Sequence, residues 1–271
     1  MQWKIIFKML YFLYDNTFDG LLTCVFDAFY RKQFPEKIVA ESTQLPLFSE
    51  TFAVITDAEK AERVLAGLQK KLSPSAVQML FVCFLAEKEE VPTWIFNYMS
   101  KALVSEKSIE LNFADNDVLE LSKIYRKIQR EAERIRQFVR FQKTADGIFF
   151  AVFEPLYNVL PLVSEHFEDR FADQQWIVYD LKREYGLYYN LEKTEIVRFE
   201  NLNISPTGQL SLDKLDEYEL AFQQLWKDYF KSITIKERLN PKLHRQNMPK
   251  RFWKYLTEKA SLKPIQTNFL Q

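Results

Sequence analysis

The chain has 271 residues, and its 37 basic and 37 acidic side chains give a formal net charge of zero. Hydrophobic residues make up 47% and charged residues 27%, which is typical of a soluble globular protein with one large or two small domains. The five glycines argue against a barrel, a propeller or a glycine-loop nucleotide fold. No GxGxxG, GxxxxGK[ST] or GxSxG motif is present.

The first residues alternate in polarity at Trp3, Ile5, Phe7 and Met9, which predicts a β-strand that ends at Tyr14-Asp15. The apolar run is broken by Lys4 and Lys8 and is too short for a membrane span, and it lacks the cleavage site of a leader. Cys24 and Cys83 lie in apolar helical runs, which favours buried, reduced thiols. We therefore expect a cytoplasmic protein that does not associate with membranes.

The first half of the chain is predicted to be mainly helical. Capping residues and apolar spacing predict, in chain order, a helix from Thr17 to about Lys32, a connection over 35–50, a strand over 51–56, three helices between 57 and 105, and a long amphipathic helix over 115–137. We interpret the segment from about 57 to 137 as a helical insertion between elements of a sheet.

The segment 138–189 contains most of the strands predicted in the second half of the chain. Two apolar runs flank Asp146-Gly147, a dipeptide typical of a hairpin tip. The patterns then predict a helix over 161–171 and two strands, 175–179 and 185–189, with a possible further strand over 195–199. A hairpin, a helix and a second hairpin predict an α+β fold: an antiparallel sheet with packed helices, within a single domain of residues 1–271.

Charge is unevenly distributed along this neutral chain. Residues 227–263 carry eleven Lys and Arg against three acidic residues, and residues 122–143 carry eight against two. In the second segment, Lys123, Lys127 and Arg130 begin one basic stripe of the amphipathic helix. Two interpretations stay open: solvated helix faces, or a surface that binds a polyanion.

The two histidines do not form a metal-binding pattern. His166 and His244 have no second ligand at a helical spacing and no CxxC pair is present, so we expect no structural metal and no cofactor. His166 and Arg170 lie four residues apart, on one face of the predicted helix 161–171. His166 is either a structural histidine or, with Asp180, a candidate acid–base pair; no catalytic residue is assigned beyond these two candidates.

Leu212-Asp213 starts a predicted helix with a broad apolar side that includes Leu215, Phe222 and Leu225. The basic C-terminal segment, at about 227–263, interleaves cations with aromatic residues, and Pro249 can start a short helix within it. Cations attract phosphates, and exposed aromatic rings stack on unpaired bases. The rings of Phe252 and Trp253 could equally fasten the segment to the core.

Three runs carry a resemblance to a known family: YDNTFDGLLTCVFDAF, HFEDRFADQQWIVYDLKREYGLYY and LWKDYFKSITIKERLNPKLHRQNMPKRFWKYLTE. In this order they resemble the bacterial family called "probable DNA metabolism protein", a domain of unassigned mechanism. Its members are typically encoded beside a putative DNA-repair radical-SAM protein, and elsewhere a similar domain is fused to a uracil-DNA-glycosylase-like domain. The resemblance implies a role in DNA modification or repair but no particular reaction.

The positions that match the family include Asp15, Phe18, Gly20, Arg140, His166, Phe167, Arg170, Phe171, Trp176, Tyr179, Asp180, Arg183, Tyr185, Arg238, Pro249, Arg251, Trp253 and Lys254. Phe252 stands where the family more often has Tyr. Together with the charge pattern, this predicts a nucleic-acid-binding surface formed by Arg140, His166, Arg170, Arg183, Arg238, Arg245, Lys250, Arg251, Trp253 and Lys254.

A second short run resembles the pentapeptide with which bacterial repair proteins dock onto the sliding clamp. It consists of Gln44, Leu45, Pro46, Leu47 and Phe48, a polar residue followed by apolar anchors in a connection. Leu47 and Phe48 could instead be buried.

These observations lead to three hypotheses. The first is a DNA-metabolism protein that binds nucleic acid and acts with a radical-SAM partner. The second is a stand-alone enzyme that acts on modified DNA bases or phosphodiesters. The third is an adaptor that joins a partner enzyme to the DNA polymerase sliding clamp.

Overall fold

The structure is a computed structural model that describes residues 9–47, 49–200, 202 and 204–259, apart from the side chain of Lys236. Residues 3–8 of the predicted first strand lie outside this range, and the predicted end of that strand is confirmed, since a strand runs over Leu10–Tyr14. Contacts group the chain into two compact units, Met1–Gln129 and Arg130–Gln271. That they act as the single domain expected from the sequence stays a prediction.

The first unit contains a parallel sheet of three strands. The strands are β1 (Leu10–Tyr14), β2 (Lys37–Ala40) and β3 (Glu50–Ala53), and β1 lies in the middle. Ile38 and Val39 of β2 are buried. The sequence predicted residues 35–50 to be a plain connection, and this is wrong for β2. The four residues of β2 are too few for a periodic signal, and they become a strand because they pair with β1.

Helices pack against this sheet and against one another. The first unit has α1 (Phe18–Arg31), α2 (Ala58–Lys71), α3 (Pro74–Phe84) and α4 (Val91–Val104), and α5 (Asn116–Phe138) begins in it. Four of these, α2 to α5, occupy the predicted helical insertion. The caps follow the sequence: side chains of Thr17, Asp57 and Ser73 accept hydrogen bonds from backbone N–H groups of the first turns of α1, α2 and α3.

Hydrogen bonds to one carboxylate fix the junction of β1 and α1. Asp15 Oδ1 accepts from Thr17 N (3.0 Å) and Thr17 Oγ1 (2.7 Å), and Asp15 Oδ2 accepts from Thr56 Oγ1 (2.8 Å). Burial acts to raise the pKa of Asp15, but the hydrogen bonds outweigh it, so the pKa lies below its ordinary value. Gly20 lies against these groups, where a side chain would collide with them.

The second unit is built on a five-stranded sheet. Its strands, in spatial order, are β4 (Gln142–Lys143), β5 (Phe149–Phe153), β6 (Trp176–Asp180), β7 (Tyr185–Tyr189) and β8 (Thr194–Val197). Gly147, at φ 86°, forms the predicted tip between β4 and β5. The pairs are antiparallel except β5 and β6, which are parallel because helix α6 (Leu160–Arg170) connects them as a crossover.

The predicted α+β class, with an antiparallel sheet and packed helices, is confirmed. The parallel sheet of the first unit and the parallel β5–β6 pair were not expected from the sequence. Cys24 and Cys83 are free and buried as predicted, and burial raises the pKa of Cys83 to about 12. Over the residues that the structure describes, no helix is long and apolar enough to cross a membrane.

The C-terminal part of the second unit is helical. It comprises α7 (Glu219–Ser232), α8 (Pro241–Asn247) and a 3-10 helix over Lys250–Tyr255. The sequence placed the start of a helix at Leu212, where the structure has only a single 3-10 turn, Leu212–Lys214. Helix α7 begins at Glu219 and carries its apolar residues largely on the exposed side.

Candidate functional site

A groove opens in the second unit beside the C-terminal helices. Its volume is about 860 Å³, and its lining comes from the end of α5, the end of α7, α8 and the 3-10 helix that follows α8. The lining residues are Gln137, Phe138, Phe230, Thr234, Arg238, Leu239, Asn240, Pro241, Leu243, His244, Arg245, Asn247, Met248, Lys250, Trp253 and Lys259. Most of the groove thus belongs to the segment that the sequence identified as basic and aromatic.

Four cations line this groove, and no described carboxylate does. They are Arg238, Arg245, Lys250 and Lys259. Within the described residues none of the four takes part in an ion pair, although Arg245 Nε donates to the carbonyl of Pro241 (3.1 Å). Since like charges gathered without counter-charges repel one another, this arrangement favours an external anion.

Aromatic rings form part of the same lining. The ring centroid of Trp253 lies 5.6 Å from that of His244, and the indole N–H donates to the carbonyl of Met248 (3.0 Å). The ammonium of Lys259 lies 5.1 Å from the ring centroid of Phe230 and 5.6 Å from that of Trp253. The groove therefore offers both charge and flat apolar surface to a ligand.

Local sequence signals shape this part of the chain. The side chain of Asn240 caps α8 by accepting from Leu243 N (3.0 Å), and Pro241 is the first helical residue. Pro249 precedes the 3-10 helix, as predicted for the start of a short helix. Phe252 is buried, with its ring centroid 5.6 Å from that of Phe138. Of the two interpretations of Phe252, the one that fastens the segment to the core is therefore confirmed.

Other predicted cations of the binding surface are held by carboxylates of the same unit. The pairs are Arg140 with Glu258 (2.8 Å), Arg183 with Asp180 (2.8 Å), Lys254 with Glu154 (2.7 Å) and Arg251 with Glu131. Each of these four cations has a carboxylate partner, whereas the four groove cations have none among the described residues. Their role in binding a ligand stays a prediction.

Glu131 is the centre of one of these clusters and is itself buried. Its side chain is 1% exposed, and Oε1 accepts from Arg251 Nη1 (2.7 Å) and from the backbone N–H of Leu156 (2.9 Å). Arg251 Nη2 donates to Oε2, and Arg134 lies 3.9 Å from the same oxygen. Glu131 is thus a buried carboxylate of the long helix, in a segment for which a solvated helix face was one of the two open interpretations.

A similar arrangement fixes Arg140. Its guanidinium donates to both oxygens of Glu258, whose side chain is 1% exposed, and the indole of Trp226 donates to Oε2 (2.9 Å). Burial acts to raise the pKa of Glu258, but these hydrogen bonds outweigh it, so the pKa lies below its ordinary value. Glu258 is therefore ionised at neutral pH.

His166 and Asp180, the candidate acid–base pair, occupy different environments. His166 is exposed on α6, and Arg170, four residues later, is exposed on the same helix. Asp180 is fully buried, and its carboxylate accepts from the backbone N–H groups of Lys182 (2.9 Å) and Arg183 (3.2 Å). No described hydrogen bond joins His166 to Asp180, and the acid–base role of these two residues stays a prediction.

The clamp-like run lies in the loop between β2 and β3. Gln44 is exposed, Leu45 is half-buried and Leu47 is 89% exposed. Phe48 lies outside the described residues. The side chain of Ser49 donates to the carbonyl of Pro46 (2.7 Å), which closes a turn at the end of the run.

The sequence analysis did not identify Phe138, Phe230 or Lys259 as residues of a binding site. Lys259 lies within the basic segment 227–263, so its charge was the available signal. Phe138 and Phe230 follow from no local pattern, because they reach the groove through the packing of α5 and α7. No cluster of three or more potential metal ligands occurs among residues whose placement is described.

Comparison with known proteins gives one match. No curated protein and no solved structure matches the chain. Residues 89–258, which include almost all of the second unit that the structure describes, match the model of a domain of unknown function, DUF4130. Since this match covers more than half of the chain, the protein belongs to the DUF4130 family.

Proposed function

We propose that this protein binds nucleic acid in the groove of its second unit and serves DNA modification or repair together with a radical-SAM partner. One observation carries the binding proposal: four cations line the groove, and none of the described lining residues is acidic. The choice of DNA and of the partner depends on the resemblance to the "probable DNA metabolism protein" family. In this proposal the radical-SAM partner supplies the redox chemistry.

The composition of the groove matches the chemistry of a polynucleotide. Phosphates are neutralised by Arg and Lys, which accounts for most of the salt-dependent affinity of such complexes. The rings of Trp253 and Phe230 provide faces on which bases can stack, and a stacked base contributes about 1–3 kcal/mol. A purely apolar ligand would gain nothing from the cations, and an acidic protein would gain little from the rings.

The test is direct binding of fluorescein-labelled oligonucleotides, single-stranded and duplex, measured by fluorescence anisotropy over a series of salt concentrations. We expect binding at low salt that weakens with added salt. In the variant Arg245→Glu/Lys250→Glu, the slope of log K against log salt should fall by about 2, since two phosphate contacts are lost.

A matched control reverses two charges far from the groove in sequence. Lys70 and Lys107 are exposed, belong to the first unit and form no described ion pair. The variant Lys70→Glu/Lys107→Glu has the same net charge as the groove variant and should bind like wild type. If wild type binds neither oligonucleotide at low salt, or if both variants lose affinity equally, the groove proposal is wrong.

The radical-SAM partnership has a separate test. The purified chain and the purified radical-SAM protein encoded beside it should elute together in size-exclusion chromatography. Independent elution at micromolar concentrations of both proteins would count against the partnership and would leave the groove proposal untouched.

A second candidate function is an adaptor to the sliding clamp, and the exposure of Leu47 favours it. Clamp-binding peptides insert a few apolar anchors into a preformed groove, so the anchors must be accessible in the free protein. We expect immobilised clamp to retain wild type and the groove variant, and to lose Leu47→Ala/Phe48→Ala.

The control for this second test is Leu111→Ala, because Leu111 is 80% exposed and lies outside the clamp-like run. It should be retained like wild type. Retention of Leu47→Ala/Phe48→Ala at wild-type level would remove the adaptor hypothesis.

A further inference from the structure

Helix α7 has its polar side turned inward and its apolar side turned outward. Glu219 and Gln223 are 7% and 6% exposed, whereas Phe222 and Leu225 are each 62% exposed. Tyr229 is 55% exposed on the same helix. This is the reverse of the usual surface helix, which buries its apolar stripe.

Polar contacts hold the helix in this orientation. The carboxylate of Glu219 accepts from the backbone N–H of Lys143 in β4 (3.0 Å) and from Gln223 Nε2 (2.8 Å). One turn further along, the indole of Trp226 donates to Glu258 (2.9 Å). The helix cannot rotate its apolar side inward without breaking these three hydrogen bonds, all of which are accepted by buried carboxylates.

The outward residues form one continuous stripe. Tyr218, Phe222, Leu225 and Tyr229 follow the spacing i, i+4, i+7 and i+11, so they lie on one side of the helix. A contiguous exposed apolar surface of this kind marks a site that another apolar element covers.

The described chain ends beside this helix. The last described residue, Lys259, has its ammonium 5.1 Å from the ring centroid of Phe230 in α7, and the preceding residue accepts the hydrogen bond from Trp226. The twelve residues that follow, 260–271, span at most about 40 Å when extended. The fourteen residues of α7 span about 21 Å, so the segment can reach along the whole stripe.

The composition of this segment suits the stripe. Residues 260–271 carry one charged side chain, Lys263, and apolar side chains at Leu262, Ile265, Phe269 and Leu270. We propose that residues 260–271 of the same chain dock on the exposed apolar stripe of α7, formed by Tyr218, Phe222, Leu225 and Tyr229. This proposal does not depend on the nucleic-acid proposal.

Disulfide trapping tests the docking in the full chain. With Leu225→Cys and Phe269→Cys together, mild oxidation should give an intramolecular disulfide, seen as a faster monomer band on a non-reducing gel. The control pairs Phe269→Cys with Ile196→Cys; Ile196 is 71% exposed on β8, at the opposite sheet edge from β4, to which α7 is bound. The native cysteines are fully buried and should not interfere.

A disulfide formed in the first variant and not in the control supports the proposal. Equal trapping in both variants would overturn it, as would no trapping in either. Disulfide-linked dimers in place of the faster monomer band would assign the stripe to a second copy of the chain and would overturn it as well.

Hydrogen–deuterium exchange gives a measurement that needs no cysteine. In the full chain with Phe269→Asp and Leu270→Asp, the amides of 218–233 should exchange faster than in wild type, while the amides of β6 and β7 should not change. Unchanged exchange over 218–233 would overturn the proposal. Sedimentation at several protein concentrations checks that wild type and variant are both monomeric during the comparison, and a wild-type dimer that shields α7 would also overturn it.

Discussion

Replacing Arg251 with Met should destabilise the second unit, because the buried Glu131 carboxylate loses its hydrogen-bonded cation and keeps only Arg134, 3.9 Å away. The side chain of Glu131 is 1% exposed and would retain one close hydrogen bond, from the N–H of Leu156. Breaking a buried pair by removing one partner costs about 3–5 kcal/mol. Because the side chain of Arg251 is 28% exposed, water can reach the vacated position, so we expect about 3 kcal/mol.

The assay is thermal unfolding at pH 7, followed by circular dichroism. For a unit of this size, 1 kcal/mol corresponds to roughly 2–4 °C, so the midpoint should fall by about 6–12 °C. The control is Arg170→Met, since Arg170 is exposed and in no described ion pair, and it should change stability by less than about 0.5 kcal/mol. The double variant Arg251→Met/Glu131→Gln should recover part of the loss, because the buried charge is gone.

One result would refute this reasoning. If Arg251→Met unfolds at the wild-type temperature and yet weakens oligonucleotide binding, then Arg251 is available to a ligand, and Glu131 is not its obligatory partner. If it unfolds early and binds normally in the folded state, Arg251 is structural.

Three further substitutions follow from the same contacts. Gly20→Ala should lower the free energy of unfolding by about 1–3 kcal/mol, because the added Cβ would overlap the carboxylate of Asp15. Chemical denaturation measures this change, and an unchanged midpoint would contradict the predicted overlap. Gly147→Ala should lower the free energy of unfolding by about 1 kcal/mol through backbone strain alone, since φ is +86° and nothing lies within 4 Å of the new Cβ. A larger loss of stability than in Gly20→Ala would contradict this explanation. Glu258 has a lowered pKa, so its stabilisation is complete above the unfolded pKa of about 4.3 and is lost as pH falls through the folded value. The difference in unfolding midpoint between wild type and Glu258→Gln should therefore shrink from pH 7 to about pH 3, and a constant difference would disprove the linkage.

Local signals allowed the helices and the central hairpin to be predicted from the sequence. Thr17, Asp57 and Ser73 are capping residues whose partners lie three positions away, so their hydrogen bonds are readable without knowledge of the fold. Gly147 acts in the same way, since its positive φ is a property of the turn itself. Each of these signals depends on neighbours in the chain.

Long-range pairing could not be predicted in this way. Arg140 and Glu258 are 118 residues apart, and only the folded unit brings them together. Strand β2 is defined by pairing with β1, and the parallel β5–β6 pair by the crossover through α6. The sequence identified which segment was basic. Only the structure showed that Arg238, Arg245 and Lys250 have no described carboxylate partner, whereas other cations of the predicted surface do.

The apolar spacing of α7 shows the limit of periodicity as a guide. The pattern correctly predicted a helix with an apolar side, but spacing alone does not say which side faces the protein. That was decided by Glu219, whose carboxylate binds the backbone of β4. A hydrogen bond between distant segments thus set the orientation of the whole element.

The position of β1 in the first sheet has a consequence for biosynthesis. Strand β1 is the first of the described strands yet lies between β2 and β3, so it cannot complete its pairing with β3 until residue 53 has left the ribosome. If translation stops before residue 53, the edge of β1 that pairs with β3 stays unpaired, and its backbone amides can bind other polypeptides. Variants that slow translation between residues 40 and 53 should therefore increase the demand for chaperones, whereas the same pause after residue 60 should not.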